Sequence, residues 1–160
     1  STASATGDNP PVNCRNNFQK VLPNPKVGGR IRTIASADDG RLVFAWVPDQ
    51  PDKTGVLYRS TVTGISDVPS ALVENIDFVP TLATYGGARI AGDNVYFADA
   101  EGLKSVPFKG GTPKLLAAKT REGIADLAIA GGYIYWLEVG GELGTGANAG
   151  LGSVLRRALE

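Results

Sequence analysis

The feature that most constrains this chain is a short pattern that occurs three times. Gly40-Arg41-Leu42-Val43-Phe44-Ala45-Trp46-Val47 lines up with Gly92-Asp93-Asn94-Val95-Tyr96-Phe97-Ala98-Asp99 and with Gly131-Gly132-Tyr133-Ile134-Tyr135-Trp136-Leu137-Glu138. Each copy opens on a turn glycine and runs through a β-branched residue into an aromatic one. The second and third copies continue with another aromatic. Self-similarity of this kind marks an array of supersecondary units, none of which can bury its own apolar faces alone.

The segment after each copy repeats as well. Leu57-Tyr58-Arg59-Ser60-Thr61-Val62-Thr63-Gly64 matches Leu103-Lys104-Ser105-Val106-Pro107-Phe108-Lys109-Gly110, and both match Val154-Leu155-Arg156-Arg157-Ala158-Leu159-Glu160. A further strand is seen in Thr112-Pro113-Lys114-Leu115-Leu116, in Ala71-Leu72-Val73 and, at the front, in Gln19-Lys20-Val21-Leu22. The unit therefore reads as an outer strand followed by inner, second and third strands, three times over, at about 48 residues per unit.

Strands are expected at Phe18–Leu22, Arg30–Ala35, Arg41–Val47, Val56–Val62, Ala71–Ile76, Thr81–Tyr85, Asn94–Ala98, Leu103–Phe108, Lys114–Ala117, Ile124–Ala130, Tyr133–Val139 and Ser153–Leu159. They are rich in β-branched and aromatic residues and are bounded by Gly, Pro and Asp turns. No stretch sustains the 3.6-residue apolar period of an amphipathic helix. Composition agrees, with 21 glycines and 10 prolines to supply turns and 42% hydrophobic residues to supply a core. Two segments result: a polar segment at 1–17, read as flexible, and an all-β domain at 18–160.

With these residues in hand, the units resemble blades of six-bladed β-propellers of the YWTD and TolB-like kind. In that group the second strand carries an aromatic pair, then a small residue and an acid, as in Tyr96-Phe97-Ala98-Asp99 and Tyr135-Trp136-Leu137-Glu138. The motif's threonine position holds Ala98 and Leu137, and Phe44-Ala45-Trp46-Val47 departs further. The resemblance implies three four-stranded antiparallel blades, half of a six-bladed ring. Phe44, Trp46, Tyr96, Phe97, Tyr135 and Trp136 would then pack between blades, because each blade has two apolar faces to cover.

Three blades do not close a ring. The surplus strand at Phe18–Leu22 and the outer strand lacking after Glu160 suggest closure by a second copy, head to tail, or by a missing half of a longer protein.

Over a propeller channel, ligands sit on the loops between second and third strands and between outer and inner strands. Here these loops carry Asp49, Asp52, Asp99, Glu101, Arg121, Glu138 and Glu142 as candidate ligand-binding residues. The acids could take Ca²⁺ through oxygens, but no Asp-x-Asp-x-Asp-Gly loop is present, so no cofactor is assigned. The chain has no His, which removes His-based metal sites and Ser/His/Asp triads.

Sixteen basic and sixteen acidic residues, without a basic stripe, exclude the usual nucleic-acid surface. No apolar run is long enough to span a membrane as a helix. The absence of Met, at position 1 as elsewhere, reads as a processed or excised piece, and the polar leading segment suggests export to a periplasmic, cell-surface or extracellular location. Cys14, the single cysteine, reads as a free thiol, a link to another chain or the partner of a cysteine outside this sequence.

Two functions are compatible with this. The first is a non-enzymatic binding and assembly module that takes a protein or carbohydrate ligand. The second is a hydrolase or lyase with a carboxylate-lined site over the channel, using Arg121.

Overall fold

The computed structural model describes residues 29–49, 54–61, 69–78, 87–121, 123–139 and 152–159. These form strands β1 (Gly29–Ser36), β2 (Arg41–Pro48), β3 (Gly55–Thr61), β4 (Ser70–Ile76), β5 (Arg89–Ala91), β6 (Asn94–Ala98), β7 (Gly102–Pro107), β8 (Lys114–Ala118), β9 (Gly123–Ala130), β10 (Tyr133–Val139) and β11 (Gly152–Ala158). The described residues contain no helix, so the chain is all-β as expected.

The strands make three antiparallel sheets in chain order: β1-β2-β3-β4, β5-β6-β7-β8 and β9-β10-β11. Each is a meander in which sequence neighbours pair. The fourth strand of the first two sheets pairs with the third strand of the preceding repeat. The third sheet has no fourth strand beside β11 among the described residues.

Most expected strands stand within a residue of their predicted ends. The inner strand of the second sheet does not. It is Arg89–Ala91, because Ala91 pairs with Asn94 across the tight Gly92-Asp93 turn and so fixes β5 directly before β6. The segments Thr81–Tyr85 and Phe18–Leu22 lie outside the described residues.

Packing follows from the period-2 alternation of side chains. From the first sheet Val43, Ala45 and Leu57 meet Val95, Phe97 and Val106 of the middle sheet in one buried cluster. From the opposite face of the middle sheet Tyr96, Ala98 and Leu103 meet Leu127, Ile134 and Trp136 of the third. The middle sheet is therefore covered on both sides, which is why β6, after Asn94, reads Val-Tyr-Phe-Ala with every one of these four side chains buried. Each of these large side chains contributes roughly 1.5–3 kcal/mol by leaving water. The first strands of the three sheets adjoin, β1 beside β5 and β5 beside β9.

The structure shifts the first repeat by one residue. The ladder between third and fourth strands slips directly after Leu57 in the first sheet and directly after Leu103 in the second. Leu57 thus occupies the place of Leu103. Their partners on the second strand are Ala45 and Ala98, so Phe44 corresponds to Phe97, rather than Val43 to Val95. The cause is turn length. Ala37 and Arg41 close a three-residue turn through Ala37 N–H donating to Arg41 O at 2.9 Å, and Gly40 takes φ 84° within it. The other two hairpins turn in two residues, with Ala91 opposite Asn94 and Ala130 opposite Tyr133.

Candidate functional site

The loops from second to third strand and from fourth to first strand lie at one end of the sheets, since every strand reverses direction. This end is tied together by main-chain bonds. Ala100 N–H donates to Asp77 O at 2.8 Å, and Lys119 N–H donates to Glu101 O at 3.1 Å. Nearby, Ala88 N–H reaches Thr33 Oγ1 at 3.1 Å, linking the first and second sheets.

Each described candidate acid is engaged within the chain. Asp49 pairs with Arg30 at 2.8 Å, both exposed. Asp99 Oδ1 accepts the N–H groups of Glu101 and Gly102 at 2.9 and 3.2 Å, which shapes the β6–β7 turn. Its Oδ2 lies 2.6 Å from Lys104 Nζ, and the same ammonium is 2.5 Å from Glu101 Oε2. The hydrogen bond from Lys104 and then its charge hold the Glu101 carboxyl below its usual 4.5. Burial alone would lower Lys104, but its hydrogen bonds and attraction to Asp99 and Glu101 outweigh that and raise it above 10.5.

Glu138 departs furthest from a loop residue. It is fully buried. Its Oε2 accepts Thr120 N–H at 3.2 Å and Thr120 Oγ1–H at 2.5 Å, and its Oε1 accepts Trp136 Nε1–H at 3.1 Å. Trp136 and Glu138 are two residues apart on β10, hence on one face, and that face meets the middle sheet. Thr120 belongs to the β8–β9 loop, so the carboxylate joins this loop to the third sheet. Arg121 follows in the same loop, half-buried. Asp52 and Glu142 lie outside the described residues. Among the described residues no three His, Cys, Asp or Glu gather to hold a metal. Also among them, no helix is long and apolar enough to cross a membrane.

The aromatic candidates fall into two sets. Tyr96, Phe97 and Trp136 sit between described sheets. Phe44 and Trp46 lie on the opposite face of the first sheet, away from the middle one. Phe44 stacks on Tyr58 at 5.3 Å, and Trp46 packs so closely on Gly29 that a Cβ there would lie 2.4 Å from the indole. Trp46 Nε1 is buried without a hydrogen-bond partner among the described residues. Tyr135 lies on the far face of the third sheet, with Tyr133 at 6.4 Å.

Other residues gain a role only in three dimensions. At the opposite end Phe108 lies under Arg41 at 5.3 Å and Arg59 at 6.0 Å, and Arg59 also donates to Phe108 O, so this cation–π contact holds the first sheet to the second. Arg157 donates to Leu116 O, holding the third sheet to the second.

No protein-family model matches the chain, and no curated protein matches it.

Proposed function

We propose that this chain is a non-enzymatic β-propeller binding and assembly module, of the YWTD or TolB-like type, whose terminal sheets are built to be covered by further sheets. The observation that carries this reading is where the exposed large apolar side chains lie. Five stand out among the described residues: Ile31, Ile34, Leu115, Tyr133 and Val154. Four of them lie on the two end faces. Ile31 and Ile34 pair with Trp46 and Phe44 on the face of the first sheet turned from the middle sheet. Tyr133 shares its face with Tyr135 and Leu137, and Val154 pairs with Leu137, on the far face of the third sheet. Apolar surface gathered on two faces rather than scattered marks association.

The described carboxylates favour no hydrolase or lyase. Asp99 and Glu138 are consumed in holding a turn and a sheet–loop junction. Export belongs to the same proposal and rests on the polar leading segment and the resemblance.

Amide exchange followed across a dilution series tests the reading. At low concentration β1 and β11 should lose protection while β6, covered on both sides, keeps it. Equal protection of all three strands at every dilution would show that the end faces need no cover.

A further inference from the structure

We infer that the outer face of the third sheet docks the β-sheet of another protein, and that Arg156 grips it through an aromatic ring and a main-chain carbonyl offered by one turn of that sheet. The inference rests on the assembly reading above and names the chemistry of the partner.

Arg156 stands where Arg59 stands in the first sheet. The ladders fix this equivalence without appeal to side-chain similarity. Pairing of the first and second strands slips between Ala45 and Trp46 in the first sheet and between Leu137 and Glu138 in the third. Ala45 then pairs with Leu57, and Leu137 with Val154. Two residues earlier on the second strand, Val43 pairs with Arg59 and Tyr135 with Arg156. Val43, Ala45 and Leu57 face the middle sheet, so Arg59 does too, and Arg156 lies on the corresponding side of the third sheet.

The first join shows what an arginine does at this place. Arg59 Nε donates to Ser70 Oγ at 3.1 Å, and the guanidinium reaches across to the middle sheet. There it donates to Phe108 O and lies 6.0 Å from the Phe108 ring. Arg41 lies over the same ring at 5.3 Å. The turn just past β7 presents that ring. Phe108 N–H donates to Asp93 O at 2.7 Å and Gly110 N–H to Pro107 O at 2.8 Å, with Gly110 at φ 103°. The arginine thus recognises a ring and a carbonyl displayed together by the covering sheet.

On the third sheet Tyr133 takes the place of Arg41, and the Arg156 guanidinium lies 4.9 Å from its ring. Arg156 is exposed. Val154, in the place of the fully buried Leu57, is 72% exposed. The positions that are closed over in the first join are open here among the described residues. A planar guanidinium stacks on aromatic rings, so a ring from a covering sheet would hold Arg156 against Tyr133.

The partner is a chain of different sequence. A second copy of this chain has one such turn among its described residues, at Phe108, and that turn is already held by its own Arg41 and Arg59. Tyr135, Leu137 and Val154 supply the apolar ground on which a sheet can rest, and the arginine supplies the polar contact that sets its register.

The test uses the full chain and, as probe, the head-to-tail cyclised peptide Ser105–Lys114, which carries the Phe108 turn and whose end residues pair in the middle sheet. In an NMR titration the peptide should shift the Arg156 side-chain N–H and Tyr133 ring signals saturably. Phe108→Leu in the peptide keeps the carbonyl and loses the ring, and should weaken binding about two- to fivefold. Arg156→Gln in the chain removes both contacts and should weaken it by more than about tenfold. Urea unfolding gives a second reading. Arg59→Gln should lower the midpoint, because its turn belongs to the chain, and Arg156→Gln should leave it nearly unchanged.

No saturable shift at Arg156, or equal affinity for the Arg156→Gln chain, would overturn the inference. So would a midpoint lowered as far by Arg156→Gln as by Arg59→Gln at every dilution, since a segment of this chain would then already fill the place. Peptide binding at Arg156 with β1 and β11 protected at every dilution would support the Arg156 contact and remove the wider assembly reading.

Discussion

Trp136 Nε1–H donates to Oε1 of Glu138, two residues along the same strand and fully buried, at 3.1 Å. The indole and carboxylate share the face of β10 that packs on the middle sheet, and the other carboxylate oxygen holds Thr120. A buried acid at a sheet–sheet junction persists only where its lone pairs are met, and here three donors meet them.

Glu138→Gln keeps the volume but turns one acceptor oxygen into a donor. Whichever way the amide is placed, it faces either Thr120 N–H or Trp136 Nε1–H. The substitution should cost about 1–3 kcal/mol. A urea titration should show a lower midpoint at unchanged slope. Trp136→Phe, which removes one donor and keeps most of the ring, should cost less. An equal loss for both would show that ring packing, not the hydrogen bonds, decides the site.

The turn after β6 gives a second contrast. Gly102 has φ 147°, and a Cβ there would lie 2.2 Å from Ala117 O and 2.8 Å from Lys119 N. These are main-chain atoms of the paired strand β8 and of the residue directly after it, and they cannot swing aside. Gly92 also has positive φ, at 52°, but nothing lies within 4 Å of its Cβ position. Gly92→Ala should cost roughly 1–2 kcal/mol from backbone conformation alone. Gly102→Ala should cost clearly more, by thermal or urea unfolding, because the β7–β8 ladder must open.

Lys104 is the cation beneath the β6–β7 turn, and its partner Asp99 is mostly buried. Lys104→Met leaves Asp99 with two main-chain donors but without its counter-charge. The expected loss is about 1–3 kcal/mol. Glu101→Gln removes the exposed arm of the same pair and should change neutral-pH stability little, since a solvated pair is screened. Denaturant midpoints of the two variants should differ in that order.

How far these features could be read from sequence depends on the residue. Val95-Tyr96-Phe97-Ala98 is buried on both sides, and an apolar run bounded by turns states that directly. β5 is three residues long with one large apolar side chain, Ile90, too little to outweigh Thr81–Tyr85 as the expected strand. One extra residue in the turn before Arg41 inverts which side chains of β2 face the middle sheet, because a strand's period is two. Local similarity aligns Val43 with Val95 and does not carry the pairing that aligns Phe44 with Phe97. Charge at a strand end is ordinarily solvated, so sequence alone places Glu138 among the loop acids. The spacing Trp136-x-Glu138 was the available signal that both share one face. Asp99 and Glu101 are neighbours in sequence, but the Lys104 they share comes from the strand that follows them.

The pH dependence follows from the same ion pair. Glu101 is lowered from 4.5 by the hydrogen bond and then the charge of Lys104, and Asp39 is lowered from 3.8 by the side-chain and main-chain hydrogen bonds of Arg41. A carboxyl lowered by folding adds stability above its unfolded value and loses it as pH falls through the folded one. Lys104, raised above 10.5, adds stability fully below that value and loses it as pH rises through its folded value. Stability should therefore be flat between these limits and begin to fall below 4.5 on the acid side. Because the Glu101 pair is solvated, the fall in Glu101→Gln should be only slightly shallower than in the unmodified chain. Carboxyl NMR should place the Glu101 midpoint below 4.5, and Lys104→Met should return it to the ordinary value. A midpoint that does not move would mean that Lys104 serves Asp99 alone in solution, and the acid limb would then have to come from Asp39 and other carboxyls.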